Sequence, residues 1–268
     1  MRQQSSVARF LASAAAAAIL AVGLGGCQTM SDITGSISSK SDASPDADPR
    51  RSADVYGERY RANPKDADAA LKYGQALRAT AQRTQAVAVL EQATIAHPGN
   101  KALLAGYGRA LADNGNFQQA FDVLTRAHSP DNPDWRILSV QGTALDQLGR
   151  HDEARSYYAS ALKIVPEEPS VLSNLGLSYV LSRDLPKAEE VLRRAFGNTR
   201  ADARVRQNLG LVVGLQGRFA EAETIVKADL PANEAAANVA YLKQMLSRKD
   251  NPKVGAGTVP VASLRRSD

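Results

Sequence analysis

The sequence predicts an all-α chain: a solenoid of about five helical hairpins closed at both ends by capping helices, with a signal segment and a flexible tether ahead of it. Three observations carry this expectation. Glycine recurs at Gly74, Gly108, Gly142, Gly176 and Gly210, always 34 residues apart. Alanine recurs with the same step at Ala86, Ala120, Ala154, Ala188 and Ala222, and again at Ala93, Ala127, Ala161 and Ala195 before that series lapses at Asp229. No period-two alternation of apolar and polar residues, the mark of a half-buried strand, interrupts residues 51–248. Self-similarity at one fixed period of about 20 to 50 residues is the signature of stacked repeats, each burying its apolar face on the next.

The elements follow in chain order. Arg2 and Arg9, an alanine-rich apolar run from Phe10 to Leu24, and the small pair Gly25-Gly26 form the positive, apolar and small segments of an export signal. The run is shorter than the roughly 20 apolar residues a spanning helix needs. Cys27, the only cysteine, follows directly. Leu24-Gly25-Gly26-Cys27 resembles a bacterial lipobox, which implies a diacylglyceryl thioether on the Cys27 sulfur, cleavage before Cys27 and acylation of the new amino terminus. More than one acyl chain is what makes such anchoring stable. Gln28, in place of Asp, favours transfer to the outer membrane by the enterobacterial rule. Residues 28–50 are rich in Ser, Asp, Thr, Gly and Pro and read as a tether, with an end-to-end distance of roughly 25 Å. Residues 249–268 read as a second disordered tail.

Between them, residues 53–66 align with a second half-repeat and are expected to cap the amino-terminal side. Full units are expected to begin near Ala67, Lys101, Trp135, Pro169 and Ala203. A glycine in a helix interior costs about 1 kcal/mol, so five in register imply a packing reason, namely close approach of the two helices of each hairpin. Leu77, Leu111, Leu145, Tyr179 and Val213 are expected to fill the space beside them. Asn114-Gly115-Asn116, Leu148-Gly149-Arg150 and Gln216-Gly217-Arg218 mark turns within hairpins, while Pro64, Pro98 and Pro166 mark repeat ends in phase. That proline lapses in the other repeats, and Pro130 and Pro133 flank its expected place in the second. Residues 231–247 lack the repeat pattern and are expected to form a closing helix, since solenoids need polar-faced caps.

These glycine, alanine and proline series resemble the tetratricopeptide repeat over roughly residues 51–248. The resemblance implies a right-handed solenoid whose first helix in each unit lines a concave groove. Together with the lipobox, the segment YGERYRANPKDADAALKYGQALR at 56–78 and the string NVAYLKQMLS at 238–247 are similar to the TadD family, lipoproteins of the Tad/Flp pilus assembly system. That resemblance implies a pilotin-like adaptor in the periplasm, held at the outer membrane, that binds a segment of a secretin subunit or another pilus assembly component. A scaffold for cell-wall enzymes, or a part of outer-membrane protein assembly, has the same architecture and stays open.

Catalysis has no constellation to stand on. His97, His128 and His151 fall at different phases of the repeat, so no common face gathers them, and no zinc-ligand spacing occurs. Glu167-Glu168 sits between Pro166 and Pro169 in a turn and reads as structural. No glycine-rich phosphate loop follows a strand. We therefore expect no enzyme, no cofactor, no metal and no small-molecule substrate. The formal charge of +5 falls to about +3 without Arg2 and Arg9, which with export argues against nucleic acid.

The groove positions that the repeat resemblance implies are polar in repeats one to three: Gln75, Arg78, Arg109, Asp113, Arg136, Thr143, Asp146 and Gln147. In repeats four and five they turn apolar, with Leu177, Val180, Leu181, Leu211 and Leu215 beside Asn174, Gln207 and Asn208. A helix with more apolar residues than its core stripe requires must bury a second face. Two occupants are open: the closing helix, through Val239, Tyr241, Leu242, Met245 and Leu246, or a peptide segment of another protein. Arg109 and Arg136 are candidates to hold a carboxylate, although the Lys and Asn pattern of the carboxylate-clamp repeats is not reproduced. Trp135 reads as a packing residue beside Pro133.

Overall fold

The computed structural model describes residues 48–129 and 131–250, the last three by backbone only. The export signal, Cys27, the tether up to residue 47, Pro130 and the tail from residue 251 lie outside the described residues. Twelve helices make up the described chain. Helix α1 (Pro49–Ala62) leads into five hairpins: α2 (Ala67–Ala79) with α3 (Arg83–Ala96), α4 (Lys101–Asp113) with α5 (Phe117–Ala127), α6 (Trp135–Gln147) with α7 (His151–Ile164), α8 (Pro169–Leu181) with α9 (Leu185–Phe196), and α10 (Ala203–Leu215) with α11 (Phe219–Val226). Helix α12 (Ala232–Asp250) closes the array. The first helix of every hairpin begins at the residue that the 34-residue period selects.

Local chemistry explains those starts. Asp66, Asn100, Asp134 and Asp202 precede the first helices of four hairpins, and each side chain accepts a hydrogen bond from a backbone N–H in the first turn. Such a cap satisfies donors the helix itself leaves orphaned, for about 1 kcal/mol. Glu168, at the equivalent place before α8, makes no such bond; its Oε1 accepts from Ser170 Oγ at 2.9 Å instead. Asp48 caps α1 and Pro49 takes its first position, where a missing N–H costs nothing. The helix thus starts two residues before the expected edge of the tether, and α12 runs two residues past the expected end of the solenoid.

Each hairpin turns through one residue in the left-handed region: Ala81 (φ 60°), Gly115 (86°), Gly149 (77°), Arg183 (64°) and Gly217 (83°). Around it two backbone bonds recur, as in Gly115 N–H to Ala112 O (3.1 Å) and Asn116 N–H to Leu111 O (2.9 Å), the pairing that closes a helix carboxy terminus.

The recurring glycines have one physical cause. A Cβ placed on Gly74, Gly108, Gly142, Gly176 or Gly210 would lie 2.5 Å from Leu90 Cγ, 2.5 Å from Leu124 Cγ, 2.6 Å from Tyr158 Cε1, 2.6 Å from Leu192 Cγ and 2.5 Å from Val226 Cγ1, respectively. The glycine therefore admits a large side chain of the second helix, rather than only letting two backbones approach. Ala86, Ala120, Ala154, Ala188 and Ala222 are all buried, as are Ala93, Ala127, Ala161 and Ala195. The second series lapses at Asp229 because α11 has already ended at Val226; Asp229 instead receives Arg206, with Nε to Oδ2 at 2.5 Å. Leu77, Leu111, Leu145 and Val213 fill the core as expected. Tyr179 departs from that expectation: it is half-buried, with Arg155 and Lys187 over its ring, because an aromatic with a polar tip keeps one edge wet.

Helix α12 packs on α10 and α11. Leu242 is buried, and its Cδ2 occupies a place 2.5 Å from where a Cβ on Gly214 would be, while Ala235 is fully buried. The closing helix thus stacks at the end of the array. Tyr241 is corrected: it points away from the stack and is 54% exposed, since residues one position apart on a helix cannot share the face that Leu242 commits.

A candidate peptide groove

Successive first helices pack directly on one another, α2 on α4, α4 on α6, α6 on α8 and α8 on α10, so one face of the array is lined by these helices alone. Side chains bridge the steps. Arg78 Nε donates to Asp113 Oδ2 at 2.6 Å, Asn174 Nδ2 to Ser139 Oγ at 3.1 Å and Asn208 Nδ2 to Ser173 Oγ at 2.8 Å. Asn174 and Asn208, expected to offer themselves to a partner, are thus each tied to the first helix of the preceding repeat by one N–H.

The chemistry of this face changes along its length. The ninth position of the unit reads Gln75, Arg109, Thr143, Leu177 and Leu211. Gln75 is exposed and the other four are half-buried. Val180, Leu181 and Leu215 are also half-buried, and Gln207 is exposed. Of these, Val180 packs towards the core with Tyr179, Ile225 and Val239. Because α12 takes its place beyond α10, Leu177 and Leu211 keep part of their surface open.

At the other end stand three guanidinium groups. Arg78 is paired with Asp113. Arg136 is exposed and lies over the Trp135 ring, 4.4 Å from its centroid; Trp135 itself packs with the Leu138, Leu145 and Tyr158 cluster, as a packing residue should. Arg109 has no ion-pair or hydrogen-bond partner among the described residues. Burial, the largest influence, draws its pKa below the usual arginine value; Asp134 and Asp113 raise it and Arg78 and Arg136 lower it further. An arginine remains charged in any case. Asp134 also caps α6 and Asp113 also holds Arg78, so two carboxylates stand against the three guanidinium groups and the cluster keeps a net positive charge.

Asp146 is a correction. The repeat register placed it in the groove, but it is buried, 5% exposed at its side chain. Its carboxylate accepts from Tyr158 OH at 2.9 Å and from Ser178 Oγ at 2.8 Å, and His151 Nδ1 lies 2.9 Å away. The reason is Tyr158. It stands where the other hairpins carry Leu or Val, and a buried phenol needs a partner. Burial and Asp146 together push the Tyr158 phenol far up from its ordinary range. Thr143 lies 3.3 Å from the same phenol, and Gln147 is exposed.

The histidines are held in structural contacts: His97 Nε2 is 2.7 Å from Lys65 O and His128 Nε2 is 3.2 Å from Gln141 Oε1. Glu167 pairs with Arg194 and Glu168 with Arg200, across a turn in which Glu167 takes a positive φ of 56°. No group of His, Cys, Asp and Glu among the described residues is arranged to hold a metal ion. What the face offers chemically is recognition, through cationic donors at one end and apolar surface at the other.

Two tetratricopeptide repeat models match the chain, over residues 74–134 and 146–211. Residues 74–134 and 146–211 are thus tetratricopeptide repeats. Tetratricopeptide arrays are protein-interaction scaffolds, typically without catalysis. Among curated proteins, the BBSome complex member BBS4 of Bos taurus is 25% identical over 138 residues, which is 52% of this chain and 27% of that protein. Protein y4yS of Sinorhizobium fredii is 33% identical over 99 residues, 34% of this chain and 53% of that protein. The chain thus spans about a quarter and about half of these two relatives. Among solved structures, PilW, a widely conserved type IV pilus biogenesis factor, superposes with a TM-score of 0.63 at 18% identity, covering 72% of this chain and 91% of that one. That likeness is one of fold.

Proposed function

We propose that this tetratricopeptide chain is a non-enzymatic, lipid-anchored adaptor on the periplasmic face of the outer membrane, serving Tad/Flp pilus assembly by holding a segment of a secretin subunit. The observation that carries the reading is the partly open apolar surface of Leu177 and Leu211 on the face lined by the first helices. A secretin subunit exposes strand edges before it assembles, and such edges aggregate unless covered. Sequestering one segment in a groove would protect the subunit in transit. The export signal, the Cys27 lipobox and the TadD-like segments at 56–78 and 238–247 support the setting. The architecture is shared with PilW, itself a pilus biogenesis factor.

Photocrosslinking in living cells from positions 177 and 211, with mass spectrometry of the adducts, tests the reading. Secretin adducts are expected. Adducts only to cell-wall enzymes would replace the pilus role by a scaffold role. Cys27→Ser is expected to leave a soluble periplasmic protein or an uncleaved precursor, and normal outer-membrane fractionation of that variant would exclude lipid anchoring.

A further inference from the structure

The two ends of the A-helix face differ in kind, and they are joined by register. Arg109, Leu177 and Leu211 occupy the same position of their units, so the repeat directs them to the same face. Arg109 is half-buried and unpaired among the described residues, and Arg136 on the next first helix is committed only to the Trp135 ring. Three guanidinium groups, Arg78, Arg109 and Arg136, stand here against two carboxylates, Asp113 and Asp134, so the cluster keeps a net positive charge. Two guanidinium groups on neighbouring helices, with their fork donors unused, suit a carboxylate. Thr143, half-buried and neutral, separates this cationic end from the apolar one.

We propose that the face binds an extended bipartite segment of a partner protein: an acidic residue held between Arg109 and Arg136, and an apolar pair seated over Leu177 and Leu211. The proposal rests on the groove reading above and adds the partner's chemistry and spacing to it. Neighbouring helices pack about 8–10 Å apart, so two repeats separate the ends by roughly 16–20 Å. An extended chain rises about 3.3 Å per residue, which places the acid about five or six residues from the apolar pair. A charge match of this kind also fixes the direction in which the segment lies.

Selection of a random dodecamer phage library on the immobilised chain tests this. The expected motif is Asp or Glu separated from two apolar residues by that spacing. Charge reversal, Arg109→Glu with Arg136→Glu, is expected to weaken the selected peptides about tenfold or more and, on reselection, to enrich Lys or Arg at the acidic position while keeping the apolar pair. An apolar motif with no acidic position, or peptides indifferent to the charge reversal, overturns the bipartite proposal and leaves the groove reading standing. Peptides that bind the Leu177→Asp, Leu211→Asp variant as well as wild type, with the helical circular dichroism of that variant unchanged, overturn the groove reading itself, as does the absence of any enriched motif. A photocrosslink from position 143 that joins two copies of the chain, or reaches the chain's own residues 28–47, overturns the proposal by naming another occupant.

Discussion

At the residue scale, the glycines and the left-handed turn residues make opposite demands. Gly142 faces the Tyr158 ring so closely that an added Cβ would lie 2.6 Å from Cε1, and the ring is pinned by its bond to Asp146. Gly142→Ala gains about 1 kcal/mol of helix propensity. Overpacking a full core costs about 1–3 kcal/mol. The expected outcome is a net loss of about 1 kcal/mol, read from the urea midpoint. At Ala81 and Arg183 the sign reverses. Both sit at φ near +60°, where the other hairpins carry glycine. The left-handed region costs a residue with a Cβ about 1–2 kcal/mol. Glycine loses about 0.5–1 kcal/mol of that through its freer unfolded chain. Ala81→Gly and Arg183→Gly are therefore each expected to stabilise by about 0.5 kcal/mol.

At the element scale, the joints between repeats are not alike. Repeats three and four meet through Asp146, whose carboxylate takes bonds from α7 and α8 while sitting on α6. Removing one partner of a buried hydrogen-bonded set leaves the others unsatisfied, at about 1–3 kcal/mol each. Asp146→Ala is expected to cost about 2–4 kcal/mol and to lower hydrogen-exchange protection first in α6–α8. Repeats four and five meet through a surface ion-pair network. Glu189 on α9 accepts from Arg218 Nη1, Arg193 Nε and Gln216 Nε2, each at 2.8 Å, and Arg193 also reaches Glu221 at 2.6 Å. Burial raises the Glu189 pKa, but the bonds from Arg218, Arg193 and Gln216 outweigh it and hold the carboxyl below its usual range. A carboxyl depressed in this way adds stability above its unfolded pKa, about 4.3, and loses it as pH falls through the lower folded value. The α9–α11 joint is thus expected to loosen below about pH 4, and Glu189→Gln to blunt that acid response in a pH series of melting curves. Exposed pairs contribute little, so a Glu189–Arg218 double-mutant cycle should couple by less than about 1 kcal/mol at neutral pH.

At the scale of the whole molecule, the units among the described residues pack on their neighbours, so stability is close to a sum of repeat and interface contributions. Helix α12 matters for the last unit alone. Leu242 is the residue that closes the space above Gly214. Leu242→Asp is expected to cost about 2–4 kcal/mol locally and to strip exchange protection from α10–α12, leaving α2–α5 as in wild type. A uniform loss along the array would show a more cooperative molecule than this one-dimensional picture allows.

Much of the fold was legible because a repeat states its own register. The period alone placed the starts of all five first helices and the buried glycine and alanine series, and the glycine contacts are each made within one hairpin. Two further series at the same step went unread in the sequence, although they were there: the caps Asp66, Asn100, Asp134 and Asp202, and the turn residues Ala81 and Arg183 in phase with Gly115, Gly149 and Gly217. The candidate groove was legible only as a list of positions. That Asp146 is buried depends on Tyr158 and Ser178, from two other helices, and so does not follow from its own place in the unit. That Asn174 and Asn208 are tied to Ser139 and Ser173, and that Arg109 is left unpaired, depends likewise on contacts between repeats. Where α12 rests was undetermined too, because its apolar stripe fits either the end of the stack or the groove. Local periodicity determines which residues share a face; only the packing of one unit on the next decides which of them remain available to a partner.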